Sequence, residues 1–164
     1  MEWQELRALS GRDKPIGDFP YLWGVYFGVF TERSLEVLRD MISPHVELLP
    51  LSSRQGEFTA FKVLTIVDAL DRERSDIEWA PQLKRQLGNP RVVRRVKKFV
   101  FREERLVDQV LFRLPELPWD LFVTDVFMRA VEQHQLAGFE FTQVWPPIDE
   151  RAKFLEKRLK RKKK

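Results

Sequence analysis

The sequence predicts an α+β fold with a mainly antiparallel sheet and helices packed on one face. Three observations support this fold class. Short apolar runs with strand-like patterning outnumber segments of helical periodicity. The predicted strands cluster along the chain, and short connections join them. The regular strand–helix alternation of a doubly wound sheet is absent. A chain of 164 residues, 43% of them hydrophobic, is long enough to bury a core without metal or disulfide support.

The first elements are predicted from residue pattern and from the positions of proline and glycine. Residues 1–14 are expected to start as a short helix, and an irregular segment follows. The aromatic residues 21–30 are expected to form a buried strand. Thr31 suits the N-cap of a helix over residues 32–43, which Pro44 ends. The apolar face of this helix holds Leu35, Leu38 and Ile42.

The middle of the chain is predicted to contain a hairpin and a charged connection. Strands at 46–51 and 58–67 flank a polar turn, which indicates a hairpin with a loop of about five residues. Residues 68–79 form a charged connection that has room for one helical turn. A proline at the start and a glycine after the end indicate a short helix over residues 81–87.

The second half of the chain begins with a long strand predicted over residues 92–102, on which Val92, Val96 and Val100 share one face. A shorter strand is expected at 110–114. At the C-terminal end, an apolar stripe predicts a helix over residues 148–160 whose last residues fray.

The best-defined unit is a strand, a helix and a second strand. The apolar run 121–123 is followed by Thr124, whose side chain can cap a helix, and by Asp125, whose charge suits the helix N-terminus. Gly138 can adopt the left-handed conformation that ends many helices. Residues 139–144 then begin a strand with Phe and Glu/Thr on opposite faces. The helix is expected to present Val126, Phe127, Ala130 and Val131 as its apolar face.

A similar unit occurs earlier in the chain. An offset of 93 residues without gaps aligns residues 29–48 with 122–141, and it places Thr31 on Thr124. One interpretation is an internal strand–helix–strand duplication related by a pseudo-twofold axis. The other is that any such unit obeys the same capping and periodicity rules.

Charge is sorted along the chain. Residues 150–164 hold nine Lys or Arg against two Glu, whereas residues 1–149 hold 20 basic and 23 acidic residues. We therefore expect a single α+β domain over 1–149 and a basic C-terminal helix or tail over 150–164. A basic tail is a common feature of solubilising segments and of nonspecific nucleic-acid contact.

The residue content excludes several classes of chemistry. There is no cysteine, so disulfides, thiol nucleophiles and thiolate metal sites are excluded. No glycine-rich phosphate loop is present. The two histidines, His45 and His134, are expected at the surface or at its boundary, with no nucleophile or metal-ligand spacing around them. We expect no enzyme activity, catalytic residue, metal or cofactor.

No targeting or membrane segment is predicted. The N-terminal residues are polar and mixed in charge, unlike a secretory signal. The longest apolar run, residues 19–30, is too short and too interrupted to span a bilayer. The expected location is therefore the cytoplasm, with no membrane partner.

Two charged surfaces are the candidate binding sites. The first is acidic and spans 68–78; Asp68 and Asp71 in it could serve acid–base chemistry or a divalent cation, although turn and cap roles are commoner at a strand end. The second is basic and suits phosphate, an acidic protein, or the protection of an edge strand. The acidic residues are Asp68, Asp71, Glu73, Asp76 and Glu78. The basic residues are Arg94, Arg95, Lys97 and Lys98.

The order and spacing of several packing motifs resemble immunity protein family 11. These bacterial proteins are predicted to protect a cell from its own polymorphic toxin. The resemblance covers roughly residues 18–146, while the segment 72–91 and the basic tail have no recognised counterpart. The motifs are DFPYLW (18–23), the segment 29–51, FKVLTIVDALD (61–71), VKKFVF (96–101), FRLPEL (112–117) and the segment 121–145.

The resemblance implies a rigid scaffold that binds and neutralises a cognate secreted toxin by direct contact. If the toxin is a nuclease with a basic cleft, the acidic residues of 68–78 are expected to dock into it as phosphate mimics. The basic residues of 94–98 suit an acidic toxin instead. The alternative function is a basic-tailed nucleic-acid-binding protein without catalytic activity, although nucleic-acid contact is expected only through the tail and without sequence specificity.

Overall fold

The computed structural model describes most of the chain between residues 3 and 147. For residues 3–8 the structure gives the backbone pairing. The predicted short helix 81–87, terminal helix 148–160 and basic tail lie outside the described residues, as do residues 21–27 of the strand predicted over 21–30. The described residues are 3–8, 17–20, 28–53, 56–80, 88 and 90–147.

Nine strands and two α-helices are present among the described residues, with a short 3₁₀ turn at Glu103–Arg105. In chain order they are β1 (Trp3–Ala8), β2 (Gly28–Thr31), α1 (Glu32–Ile42), β3 (Val46–Ser53), β4 (Gly56–Val63), β5 (Asp76–Glu78), β6 (Arg95–Lys98), β7 (Leu111–Phe112), β8 (Leu121–Thr124), α2 (Asp125–Gln133) and β9 (Phe139–Trp145).

The α+β class with antiparallel pairing is confirmed, but the described strands divide over three sheets. The orders are β2–β4–β3, β7–β8–β1–β9 and the ribbon β5–β6. Every pair of neighbouring strands is antiparallel. Helices α1 and α2 contact each other, and each also packs on strands of its own unit.

Several predicted boundaries are wrong, and tertiary pairing explains the differences. Residues 3–8 form a strand instead of a helix, because β8 and β9 pair with both of its edges. The strand predicted over 92–102 is shorter in the structure and spans only Arg95–Lys98, because its partner strand β5 is three residues long. That partner lies in the segment predicted as a connection with one helical turn.

The predicted hairpin is confirmed with a tighter loop. Strands β3 and β4 pair continuously from Val46 opposite Val63 to Ser53 opposite Gly56. Only two residues therefore separate the strands, and the strand predicted to reach residue 67 ends at Val63. Beyond it, Ile66 makes an isolated parallel bridge with Arg113, which ties this segment to the edge of the four-stranded sheet.

The two strand–helix–strand units have the same pairing pattern. In the first, β4 lies between β2 and β3; in the second, β1 lies between β8 and β9. The offset of 93 residues is kept in both outer strands. In the first unit, Phe61 of the central strand pairs with Gly28 and Leu48. In the second unit, Leu6 of the central strand pairs with Leu121 and Phe141, which lie 93 residues after Gly28 and Leu48.

The local rules of capping and helical periodicity do not require a further strand between the two outer strands of each unit, paired at the same register. The pairing therefore favours an internal duplication over shared local rules as the explanation of the similarity. The units differ in the origin of the inserted strand. β4 follows its own unit directly, whereas β1 reaches the second unit from the N-terminal end of the chain.

The main core lies between the two helices and the two larger sheets. Its members from α1 are the predicted Leu35, Leu38 and Ile42, and those from α2 are Phe127 and Val131. A second core covers the opposite face of the four-stranded sheet, where Phe112 and Phe122 stack with centroids 5.5 Å apart. Phe101 packs edge-on against both rings. The ribbon β5–β6 sits over this second core and is positioned by it.

Three details of the second helix differ from prediction. Val126 is 49% exposed and does not join the apolar face. Thr124 occupies the N-cap position, but its side chain makes no capping hydrogen bond. The left-handed residue after the helix is Gln135, with φ of 52°, whereas Gly138 takes its positive φ further on, against the backbone of Phe19.

Candidate functional site

The acidic and basic segments, predicted as alternative surfaces, lie side by side in one ribbon. Strand β5 places Asp76 opposite Lys98 and Glu78 opposite Arg95. The Glu78 carboxylate forms an ion pair with the Arg94 guanidinium at 3.0 Å, and its other oxygen lies 3.7 Å from the Arg95 guanidinium. Part of each predicted surface is therefore neutralised by the other.

Asp68 is held at the centre of an arginine cluster. Its Oδ1 atom lies 2.9 Å from Arg72 and 3.2 Å from Arg102, and its Oδ2 atom lies 3.0 Å from Arg91. Arg102 also donates to the Asp68 carbonyl oxygen at 3.0 Å. This carboxylate therefore joins three separate segments of the chain.

Asp71 shapes the turn before β5. Its Oδ1 atom accepts from the backbone N–H groups of Glu73 at 3.2 Å and Arg74 at 3.1 Å. A carboxylate that accepts from the backbone two and three residues on is a typical turn residue. The arrangement agrees with the turn role favoured from the sequence.

Two acidic side chains of the segment are exposed and lack a partner among the described residues. Glu73 and Asp76 are both exposed, and neither carboxylate has an ion pair or hydrogen bond among the described residues. On the basic strand, Lys97 and Lys98 are exposed in the same way. Val96 is buried as predicted, but Lys98, which strict alternation would place on the same face, is exposed, so the predicted alternation holds only in part.

The sequence did not single out Glu116, the most deeply buried acid of the region. Its side chain is fully buried, and its Oε1 atom lies 2.6 Å from Nη2 and 2.7 Å from Nε of Arg72. Its Oε2 atom is also buried and has no hydrogen-bond partner among the described residues. The only local signal is the position of this glutamate in FRLPEL, directly between a proline and a leucine.

A small cavity of about 160 Å³ opens beside Glu116, between the segment before β6 and the loop before β8. The backbone N–H of Val93 donates to the Glu116 carbonyl at 3.1 Å and joins the two walls. Trp119 at the rim is 72% exposed, and Trp79, next to Glu78, is 48% exposed. The lining residues are Val92, Val93, Arg94, Glu116, Leu117, Pro118, Trp119 and Asp120.

Arg113 supports the loop that forms one wall of this cavity. It donates to the Pro118 carbonyl at 2.7 Å. Burial lowers the pKa of the Arg113 guanidinium, and the charge of Asp120 opposes this shift. The loop carrying Trp119 is therefore held by a desolvated cation.

The two histidines do not form a catalytic pair in the structure. His45 is buried, contrary to its predicted surface or boundary position, because it lies in the turn between α1 and β3, where its backbone N–H donates to the Ile42 carbonyl at 2.8 Å and its ring lies 3.3 Å from the Thr65 hydroxyl. His134 is exposed at the end of α2. Within the described residues, no group of three acidic or histidine side chains could hold a metal ion. The same residues include no helix with the length and apolarity needed to cross a bilayer.

The described surface therefore brings together charge, exposed tryptophan and a small cavity, the chemistry of protein recognition. The chain belongs to the immunity protein family (Imm11), whose family model matches residues 51–145. Membership indicates a toxin-neutralising immunity role with a cognate toxin as the general partner. The match includes the arginine cluster, the ribbon, the cavity and the second strand–helix–strand unit. No curated protein matches the chain.

Proposed function

We propose that this chain neutralises a secreted toxin by direct contact, and that the acidic segment 68–78 faces a basic surface of that toxin. The observation that supports the proposal is the exposure of Glu73 and Asp76 without a cationic partner among the described residues. Carboxylates of this kind attract a basic cleft and speed its association.

The five acidic residues contribute to this surface in different ways. Asp68 and Asp71 fix the segment through the arginine cluster and the turn, while Glu78 is paired with Arg94. Glu73 and Asp76 project from this frame as its free charges. Their substitution tests binding without removing a structural contact.

The test is a protection assay in which the cognate toxin domain is produced together with this chain, combined with a measured dissociation constant. We expect Glu73→Gln with Asp76→Asn to raise the Kd by about tenfold or more and to weaken its dependence on salt. The reason is that two charges facing the toxin are lost while the fold is kept.

The matched control is Lys97→Gln with Lys98→Gln on the neighbouring strand, which removes two exposed charges of opposite sign. This variant is expected to leave the affinity unchanged or to increase it slightly. If the lysine variant weakens binding and the acidic variant does not, the toxin-facing surface is the basic one. If the unsubstituted chain gives no protection and no binding, the direct-contact function is wrong.

A further inference from the structure

The cavity beside Trp119 is the feature that the charged ribbon leaves unexplained. Its occupant would complete the contact between this chain and its toxin. We propose that the cavity is a receptor for one lysine or arginine side chain of the toxin, with Glu116 as the buried acceptor. The inference rests on the proposed function and adds the anchor residue class of the partner.

The shape and walls of the cavity suit a long side chain with an apolar stem. A volume of about 160 Å³ holds one such side chain and little more. Val92, Val93 and Leu117 are buried and give apolar walls. Lysine and arginine bury their methylene stems against surfaces of this kind and keep the charged end for a polar partner.

The polar group at the cavity calls for a hydrogen-bond donor. Glu116 is among the residues that line the cavity. Its Oε2 atom is closed off from solvent and has no partner among the described residues, while Oε1 is occupied by Arg72. A buried acceptor without a donor is costly, and a charged donor gives the strongest compensation. A cationic side chain supplies that donor, whereas an aliphatic one does not.

The charges at the rim are compatible with an incoming cation. Asp120 contributes a second carboxylate to the lining. Among the described residues that line the cavity, the only cation is Arg94, and its ion pair with Glu78 at 3.0 Å reduces its repulsion of an incoming cation. This Glu78 contact also joins the cavity to β5, so a single basic partner surface could cover the free carboxylate of Asp76 and fill the cavity.

Trp119 gives the cavity an exposed aromatic wall. Trp119 is 72% exposed at the rim, in a loop that Arg113 holds. The indole face attracts a cation, and tryptophan is enriched among the residues that dominate binding energy in interfaces. The position beside a carboxylate therefore favours a guanidinium or ammonium group over an apolar side chain.

The cavity can be tested without the toxin by using a minimal probe. N-acetyl-arginine-N-methylamide is titrated into the full chain, and the five indole N–H signals are followed by NMR. We expect one indole signal to shift in a saturable way, and Trp119→Phe identifies it. The uncharged citrulline analogue should produce less than about a fifth of the shift, because it lacks the charge that strengthens the bond to a carboxylate.

Two variants connect the probe to the proposed residues. Glu116→Gln should abolish the arginine-induced shift, and thermal unfolding of that variant shows whether the fold is kept. Trp119 is exposed, so Trp119→Ala keeps the fold even if Glu116→Gln does not, and it should raise the toxin Kd by about 30-fold. Val107→Ala, which truncates another exposed apolar residue, should leave the Kd unchanged.

The outcomes separate this inference from the proposed function. An equal response to the arginine and citrulline probes, or no response of the Trp119 indole, overturns the cation receptor. An unchanged toxin Kd in Trp119→Ala, together with normal protection, overturns the receptor and leaves direct neutralisation standing. If the unsubstituted chain gives no protection, the proposed function is wrong, and the NMR titration alone then decides whether the cavity binds a cation.

Discussion

At the scale of single residues, His45 shows how burial couples the fold to pH. The residue is 8% exposed, and its ring lies 3.3 Å from the Thr65 hydroxyl. Burial lowers the pKa of His45 from its ordinary value of 6.5, because the charged imidazolium is poorly solvated there. The folded chain therefore takes up this proton at lower pH than the unfolded chain.

We expect the free energy of unfolding contributed by His45 to be complete above pH 6.5 and to decrease as the pH falls below that value. In this range the unfolded state binds more protons than the native state, so stability rises with pH. Urea unfolding at pH 7.5 and pH 5.5 measures the difference, and His45→Gln should remove this part of it. His134→Gln is the matched control, since that histidine is exposed. An identical pH response in His45→Gln and the unsubstituted chain would refute the assignment.

At the scale of secondary structure, the two helices share a cap residue but use it differently. Thr31 Oγ1 accepts from the backbone N–H of Ser34 at 3.3 Å at the start of α1. Thr124 has the same extended backbone before α2, yet its hydroxyl is buried and has no partner among the described residues. The sequence predicts the cap position in both units, and packing decides whether the side chain can make the bond.

We therefore expect opposite responses to the same substitution. Thr31→Val should lower the free energy of unfolding by about 1–2 kcal/mol, because the capping bond from Ser34 and the bond of the hydroxyl to the Asp18 carboxylate are both lost. Thr124→Val should be neutral or stabilising, because it replaces a buried hydroxyl without a partner by a methyl group. Chemical denaturation of the two variants measures the comparison. Equal losses would show that both hydroxyls stabilise their helices.

At the C-terminal end of α2, the conformation in the structure again differs from the one that the sequence pattern predicts. Leu136 N–H donates to the Val131 carbonyl, and Gln135 N–H donates to the Glu132 carbonyl, both at 3.0 Å. This is the Schellman arrangement, with Gln135 in the left-handed position usually taken by glycine. Gly138 lies three residues further on, where its φ of 90° suits glycine and a Cβ would also lie 3.1 Å from the Phe19 carbonyl oxygen.

At the scale of the whole molecule, Asp18 fastens the two units together. Its carboxylate accepts from the Thr31 hydroxyl at 3.2 Å, from Arg33 at 3.1 Å and from the Ala137 N–H at 2.8 Å. These partners belong to the start of α1 and to the connection after α2. Arg33 strengthens the junction by donating to the His134 carbonyl at 2.9 Å.

Asp18→Ala should therefore lower the free energy of unfolding by about 2–4 kcal/mol, since several bonds to a charged group are lost between the units. Glu47→Ala is the control, because its pair with Lys62 is exposed and long at 4.0 Å. That change should cost less than about 0.5 kcal/mol. Urea denaturation measures both variants, and a loss of less than about 1 kcal/mol for Asp18→Ala would mean that packing alone joins the units.

The sequence by itself determined the features that depend on neighbours within a few residues. The spacing of Leu35, Leu38 and Ile42 located α1 and its buried face, and an extended run ending in threonine located the start of each helix. Helical spacing and strand alternation are local quantities, so the printed residues are enough to determine them. The order of the packing motifs was also enough to indicate the family.

Only the tertiary structure decided which distant segments meet. Strand β1 became a strand because β8 and β9 satisfy both of its edges, which its own residues do not reveal. The charged segments were visible in the sequence, but their mutual pairing, the arginine cluster around Asp68 and the unpartnered oxygen of Glu116 were not. A charge or a strand edge gains its role from the partner that folding brings to it, and most of these partners lie far away along the chain.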